Sequence, residues 1–202
     1  MYQVIGTARS RAMRVFWMLE ELEQEYEIIE SGPRGKAITD VNPSGKVPAL
    51  IVGGTALLDS VAIMQFLADR HNGLTYACGT IERAQQDSFT QFGTDEMDGV
   101  LWQATKHKFY YPKELRVPEV MEAAKWDFAR AMQTLETRLG DNEFVMGDKI
   151  TVPDLLISHC AGWALGSKFE LPKGKLGEYF KRLRSRPAMK RALARASKPD
   201  ES

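Results

Sequence analysis

The chain has 202 residues, with 27 basic and 27 acidic side chains and a formal net charge of +0 at pH 7. That balance supplies no global field to draw nucleic acid or an anionic membrane, so no nucleic acid and no membrane partner is expected. A hydrophobic share of 44% beside a charged share of 27% is that of an ordinary globule with a real core.

The first segment, Tyr2–Ile5, is apolar and closed by Gly6, which predicts a short strand. Thr7-Ala8-Arg9-Ser10 follows, and then Met13, Phe16, Trp17, Leu19 and Leu22 recur at helical spacing. A helix from Arg11 to about Glu23, capped by Ser10 or a neighbour, is expected there. Tyr26–Ile29 reads as a second strand, and Ser31–Asn42 as a polar loop holding at most a short irregular helix. Val47–Val52 and Thr55–Leu58 read as strands joined by the Gly53-Gly54 turn, after which Asp59-Ser60 opens a helix to about His71. Every later periodic segment is helical: 82–108, 117–139, 152–165, 175–185 and 187–195. Gly140 ends one helix, and Thr151-Val-Pro-Asp154 opens another with a capping box. The expected architecture is an α/β unit over 1–76 in the order βαβαββα, a linker over 77–83, and an all-α helical bundle over 84–202. The late basic cluster, from Lys181 to Arg195, is expected to be a solvated helix face or a complement to helix ends.

Three clusters carry chemistry. Thr7, Ser10 and Arg11 lie where a strand turns into a helix, whose unpaired N–H groups favour an anion such as a thiolate. A hydroxyl donor beside a thiolate lowers the thiol's pKa, and a fall of about two units equals roughly 2.7 kcal/mol. Asn42-Pro-Ser-Gly-Lys-Val-Pro-Ala-Leu50 comes next. Pro48 at a strand start fits a sheet edge or a cis peptide, which would leave the Val47 N–H and C=O to pair with an extended peptide. Lys46 supplies a cation for a carboxylate. Asp59-Ser60 is the third: Ser60 with neighbouring N–H groups suits an α-carboxylate, and Asp59 an α-ammonium. Taken singly, each is equally an ordinary cap or edge strand.

Their order resembles the N-terminal domain of the cytosolic glutathione S-transferases: a hydroxyl-bearing turn, Lys46-Val-Pro-Ala-Leu50, then Leu58-Asp-Ser-Val-Ala-Ile63. Phe144–Asp154 and Tyr179–Ala188 resemble that family's capping-box segment and closing helix pair. The resemblance implies a thioredoxin-like first domain with glutathione as cosubstrate. It also implies that Val47 and Pro48 take the cysteinyl backbone, that Asp59 and Ser60 take the γ-glutamyl end, and that Lys46, Asn42 and Arg11 lie near the other polar groups. Aligned on Ser10-Arg11, serine-type members carry their hydroxyl at Thr7, so Thr7 is preferred as the activating group and Ser10 is the alternative. A small hydrophobic electrophile is implied between the domains, near Trp102, His107, Phe109, Tyr110 and Tyr111, although aromatics at that spacing are more often core. A homodimer is implied as well. A glutathione-dependent disulfide oxidoreductase and a non-catalytic binding module are the rival readings.

Cys78 and Cys160 fit neither a metal nor a redox spacing, and the three histidines are scattered, so no metal is expected. The opening MYQVIGTARS lacks a signal-peptide core and no apolar run approaches the ~20 residues of a membrane span. A cytoplasmic protein is expected.

Overall fold

The computed structural model describes residues 1–197. Its elements are β1 (Tyr2–Gly6), α1 (Ala12–Glu21), β2 (Tyr26–Glu30), α2 (Lys36–Thr39), β3 (Ala49–Val52), β4 (Thr55–Leu58), α3 (Ser60–His71), α4 (Ile81–Phe92), α5 (Val100–Thr105), α6 (Val120–Leu139), α7 (Val152–Gly166), α8 (Gly174–Arg184) and α9 (Pro187–Ala196). Two compact units result: Met1–Ala77 with the chain from Arg184 onward, and Cys78–Leu183.

The first unit is built on a sheet of order β2-β1-β3-β4. β1 runs parallel to β2 because α1 carries the chain back across the sheet, whereas β3 is antiparallel to both β1 and β4. Alternation along the strands sorts the side chains by face. Ile5 and Ala49 pack with Ile38 of α2, while Val4 and Leu50 point to the opposite face and are fully buried. There α1 packs against β1 and α3, and α9 packs against α1 in turn. Enclosed in this way, α1 is buried at every position from Ala12 to Leu19. This mixed sheet with helices on both faces is thioredoxin-like, as the resemblance implied.

The last helix, inside the stretch 84–202 that the sequence expects to be all-helical, is grouped with the first compact unit. Helix α9 buries Ala188 and Ala192 and returns to α1. Arg186 donates twice to the Glu21 carboxylate at 2.6 and 2.8 Å, and Arg191 Nε to Glu20 Oε2 at 2.8 Å. Arg195 donates to the Tyr26 carbonyl and lies 4.2 Å over its ring. Basic side chains therefore meet two carboxylates at the negative end of α1, rather than water alone. The expected final stretch, 198–202, lies outside the described residues.

In the second unit the expected helix 82–108 is not one continuous α-helix. Helix α4 runs into a π-helical segment, Gly93–Gly99, then α5, then a second π-helical segment, Lys106–Tyr110. Gly93 lies close against α7, where a Cβ would come 3.1 Å from the side chains of Ile157 and Leu156 and press them aside by a few tenths of an ångström. Helix α7 is buried along most of its length and opens on Asp154. The Asp154 carboxylate accepts from Thr151 N–H at 2.7 Å, Thr151 Oγ1 at 2.9 Å, Val145 N–H at 3.0 Å and Tyr179 OH at 2.8 Å. Burial still pushes the Asp154 carboxyl above its usual range, and burial with the adjacent Asp154 holds the Tyr179 phenol well above its own. Among the described residues no helix is long and apolar enough to cross a membrane.

Candidate functional site

The β1–α1 turn is shaped by Gly6. A Cβ there would lie 2.4 Å from that of Ala12, so only glycine lets the strand end approach the helix start. The same position lies 3.7 Å from both Ser10 Oγ and Val47 Cβ, which brings the turn and the loop before β3 together. Ser10 is committed on both sides: its hydroxyl donates to the Thr7 carbonyl at 2.8 Å and its oxygen accepts from Ala12 N–H at 3.1 Å. Ser10 thus meets one orphan donor of α1, as the sequence predicts, while Arg11 has the backbone position of the cap. Thr7 Oγ1 makes no hydrogen bond among the described residues.

The second segment is held by Asn42, whose Nδ2 donates to the Lys46 carbonyl at 2.8 Å. Its Oδ1 accepts from Ser44 N–H at 3.1 Å and Ser44 Oγ at 2.8 Å. The side chain of Asn42 is spent on the loop that presents Lys46. Lys46 is exposed, and its ammonium has no ion pair among the described residues. The Val47–Pro48 peptide is cis. Strand β3 begins at Ala49 rather than at the expected Val47, because Pro48 has no N–H to give a ladder. Neither the N–H nor the C=O of Val47 is bonded among the described residues.

The third segment opens α3. Asp59 sits at φ 69°, a sparsely populated conformation for a non-glycine residue, and its Oδ1 caps the helix by accepting from Val61 N–H at 2.9 Å and Ala62 N–H at 3.3 Å. Ser60 is only 3% exposed. Its oxygen accepts from Arg14 Nη1 at 3.2 Å, which leaves its hydroxyl hydrogen and its backbone N–H without acceptors among the described residues. Arg14, 1% exposed, is the residue that motif reading missed. A signal existed: α1 is apolar at Ala12, Met13, Val15, Phe16, Trp17, Met18 and Leu19, leaving no polar face for an arginine to occupy.

In the second unit the aromatic segment is not core. Phe109 is 67% and Tyr110 43% exposed. Trp102 meets Tyr110 edge-on at 5.2 Å and His107 meets Tyr111 at 5.1 Å. The second π-helical segment holds three of these residues, and none of its positions is buried. No group of His, Cys, Asp and Glu is gathered to hold a metal ion among the described residues.

A family model described as glutathione S-transferase, N-terminal domain, matches residues 9–70. The dichloromethane dehalogenase of Methylorubrum extorquens is 31% identical over 163 residues, covering 74% of this chain but 57% of the longer relative. A glutathione S-transferase of Silene vulgaris is 26% identical over 213 residues, covering 95% and 96% of the two chains. Among solved structures, the glutathione transferase URE2P6 of Phanerochaete chrysosporium, in complex with oxidised glutathione, superimposes with a TM-score of 0.81 at 25% identity over 97% and 96% of the chains. A thioredoxin-like first unit and a helical second are thus similar, along nearly the whole chain, to those of the glutathione S-transferases.

Proposed function

We propose that the first unit binds glutathione through Thr7, Arg11, Lys46, Val47, Pro48, Asp59 and Ser60 and ionises its thiol for attack on a small hydrophobic electrophile. The observation that carries this reading is a set of hydrogen-bonding groups left unspent where their neighbours are satisfied. These are the Thr7 hydroxyl, the Val47 N–H and C=O, and the N–H and hydroxyl of Ser60. A buried or half-buried polar group without a partner costs about 1–3 kcal/mol, so such a set is best accounted for by a ligand that completes it. An extended peptide backbone completes Val47, and a carboxylate completes Ser60. The second oxygen of Asp59 faces an ammonium, and the Lys46 ammonium a further carboxylate. Arg11, beside the turn, adds positive charge. Asn42 serves this site by holding the loop rather than by touching the peptide.

The chemistry follows from the turn. Thr7 donates its hydroxyl hydrogen to the thiolate sulfur, and the start of α1 adds its partial positive charge, so the thiol proton passes to solvent near neutral pH. The sulfur then forms a bond to the electrophilic carbon, and either a leaving group departs with its bonding pair or the π-electron pair shifts onto the neighbouring atom, which takes a proton from solvent. Ser10 is disfavoured in this role because its hydrogen already goes to the Thr7 carbonyl. Titration of the thiolate absorbance in the glutathione complex tests this: Thr7→Ala raises the bound thiol pKa by about two units while Thr7→Ser preserves it. A shift seen only in Ser10→Ala would reverse the assignment. The active protein is a homodimer in the cytoplasm, where Cys78 and Cys160 stay reduced. Light scattering that gave the mass of one chain would refute the dimer.

A further inference from the structure

Arg14 is a cation enclosed in the first unit at 1% exposure, on a helix whose neighbouring positions are all buried. A guanidinium only donates, so its Nη1–H to Ser60 Oγ bond determines the polarity of that contact. The Ser60 oxygen is occupied as an acceptor by a charged donor. Its hydrogen must therefore be given elsewhere, and none of the described residues receives it. Donation into a hydroxyl oxygen also polarises the O–H and strengthens it as a donor. Without Arg14 no hydrogen bond among the described residues would fix the rotation of the Ser60 hydroxyl. With it, the hydroxyl and the backbone N–H of one buried residue are both kept as donors, the pair that a carboxylate accepts with its two oxygens.

We infer that Arg14 is a positioning residue for substrate binding: through its bond to Ser60 it orients and polarises that hydroxyl toward the γ-glutamyl carboxylate of glutathione. The inference rests on the glutathione reading above and adds to it a residue on α1 that acts through another side chain. Arg14 is kept for a purpose beyond filling space, because an apolar residue of like volume would bury more cheaply than a guanidinium.

The test is a double-mutant cycle read by calorimetry on the full chain, with glutathione and with cysteinylglycine, which lacks the γ-glutamyl carboxylate. Arg14→Met weakens glutathione binding about 10-fold or more, the scale of one charge-assisted hydrogen bond, and leaves cysteinylglycine binding unchanged. Arg14→Lys recovers part of the loss. Arg14→Met in a Ser60→Ala background adds little, because the path through Ser60 is already cut. The kinetic counterpart is a raised KM for glutathione with kcat held at saturation. Arg14→Met that melts lower but binds glutathione as before overturns the inference, and so does a full additive loss in the Ser60→Ala background. If Arg14→Met does not fold, the same cycle with Arg14→Lys decides, and additivity there overturns it. Failure of the unsubstituted chain to bind glutathione is a separate result: it overturns the glutathione reading itself, and this inference with it.

Discussion

Two helices begin with the same chemistry and do opposite things with it. At α7, Thr151 and Asp154 supply a hydroxyl and a carboxylate, and so do Ser60 and Asp59 at α3. The Asp154 carboxylate draws in two N–H groups, a hydroxyl and a phenol, all from the second unit. At α3 one Asp59 oxygen caps two N–H groups, but Ser60 keeps its own N–H and hydroxyl hydrogen unspent, with Arg14 occupying its oxygen. The accounting of donors distinguishes the two helix starts, where residue type does not.

The sharpest way to break this comparison is at Asp154. Replacing it with alanine strands several buried donors, each worth about 1–3 kcal/mol, so Asp154→Ala is expected to lose about 4 kcal/mol of stability in denaturant unfolding. A loss below about 1 kcal/mol would mean that the network is ornamental. At the open start the effects should invert. Ser60→Ala is expected to weaken glutathione binding by about 1.5–3 kcal/mol, with a smaller fall in melting temperature than Asp154→Ala. Calorimetry that found unchanged affinity would remove Ser60 from the site. Ser10 lies between the two cases, since its hydroxyl is spent but only on local backbone. Ser10→Ala should cost about 1 kcal/mol of stability and leave the bound thiol pKa where it was. The smallest effect belongs to the far end of α3, where the Tyr2 hydroxyl and His71 Nε2 are 2.8 Å apart. Burial and then the neighbouring Arg70 hold the His71 imidazole below its usual value. A depressed folded pKa contributes stability that is present above the unfolded value of about 6.5 and is lost as pH falls through the folded one. His71→Gln should therefore flatten the mildly acidic limb of a stability–pH profile, and an unaltered limb would exclude this contribution.

The elements of the first unit were legible because each is local: period-two strands, the Gly53-Gly54 turn and an Asp-Ser helix start are written in adjacent residues. So was the cap at Thr151, whose partner is three residues away. The π-helical segments around α5 were not, and neither was the close approach of Gly93 to Leu156 and Ile157, which lie more than sixty residues on. Nor was the strand start at Ala49, two residues later than the apolar run from Val47 suggests.

What the sequence by itself determined is the order of elements, the hydroxyl-bearing turn and the Lys46–Pro48 and Asp59-Ser60 pairs, because periodicity and turn chemistry act over a few residues. Tertiary structure alone decided how those groups are used. It spent the Ser10 hydrogen on Thr7, spent Asn42 on its own loop, drew α9 back to Glu20 and Glu21, and buried Arg14 against Ser60. A donor's partner is set by three-dimensional proximity at about 3 Å, and the sequence separation of 46 from Arg14 to Ser60 carries no trace of it.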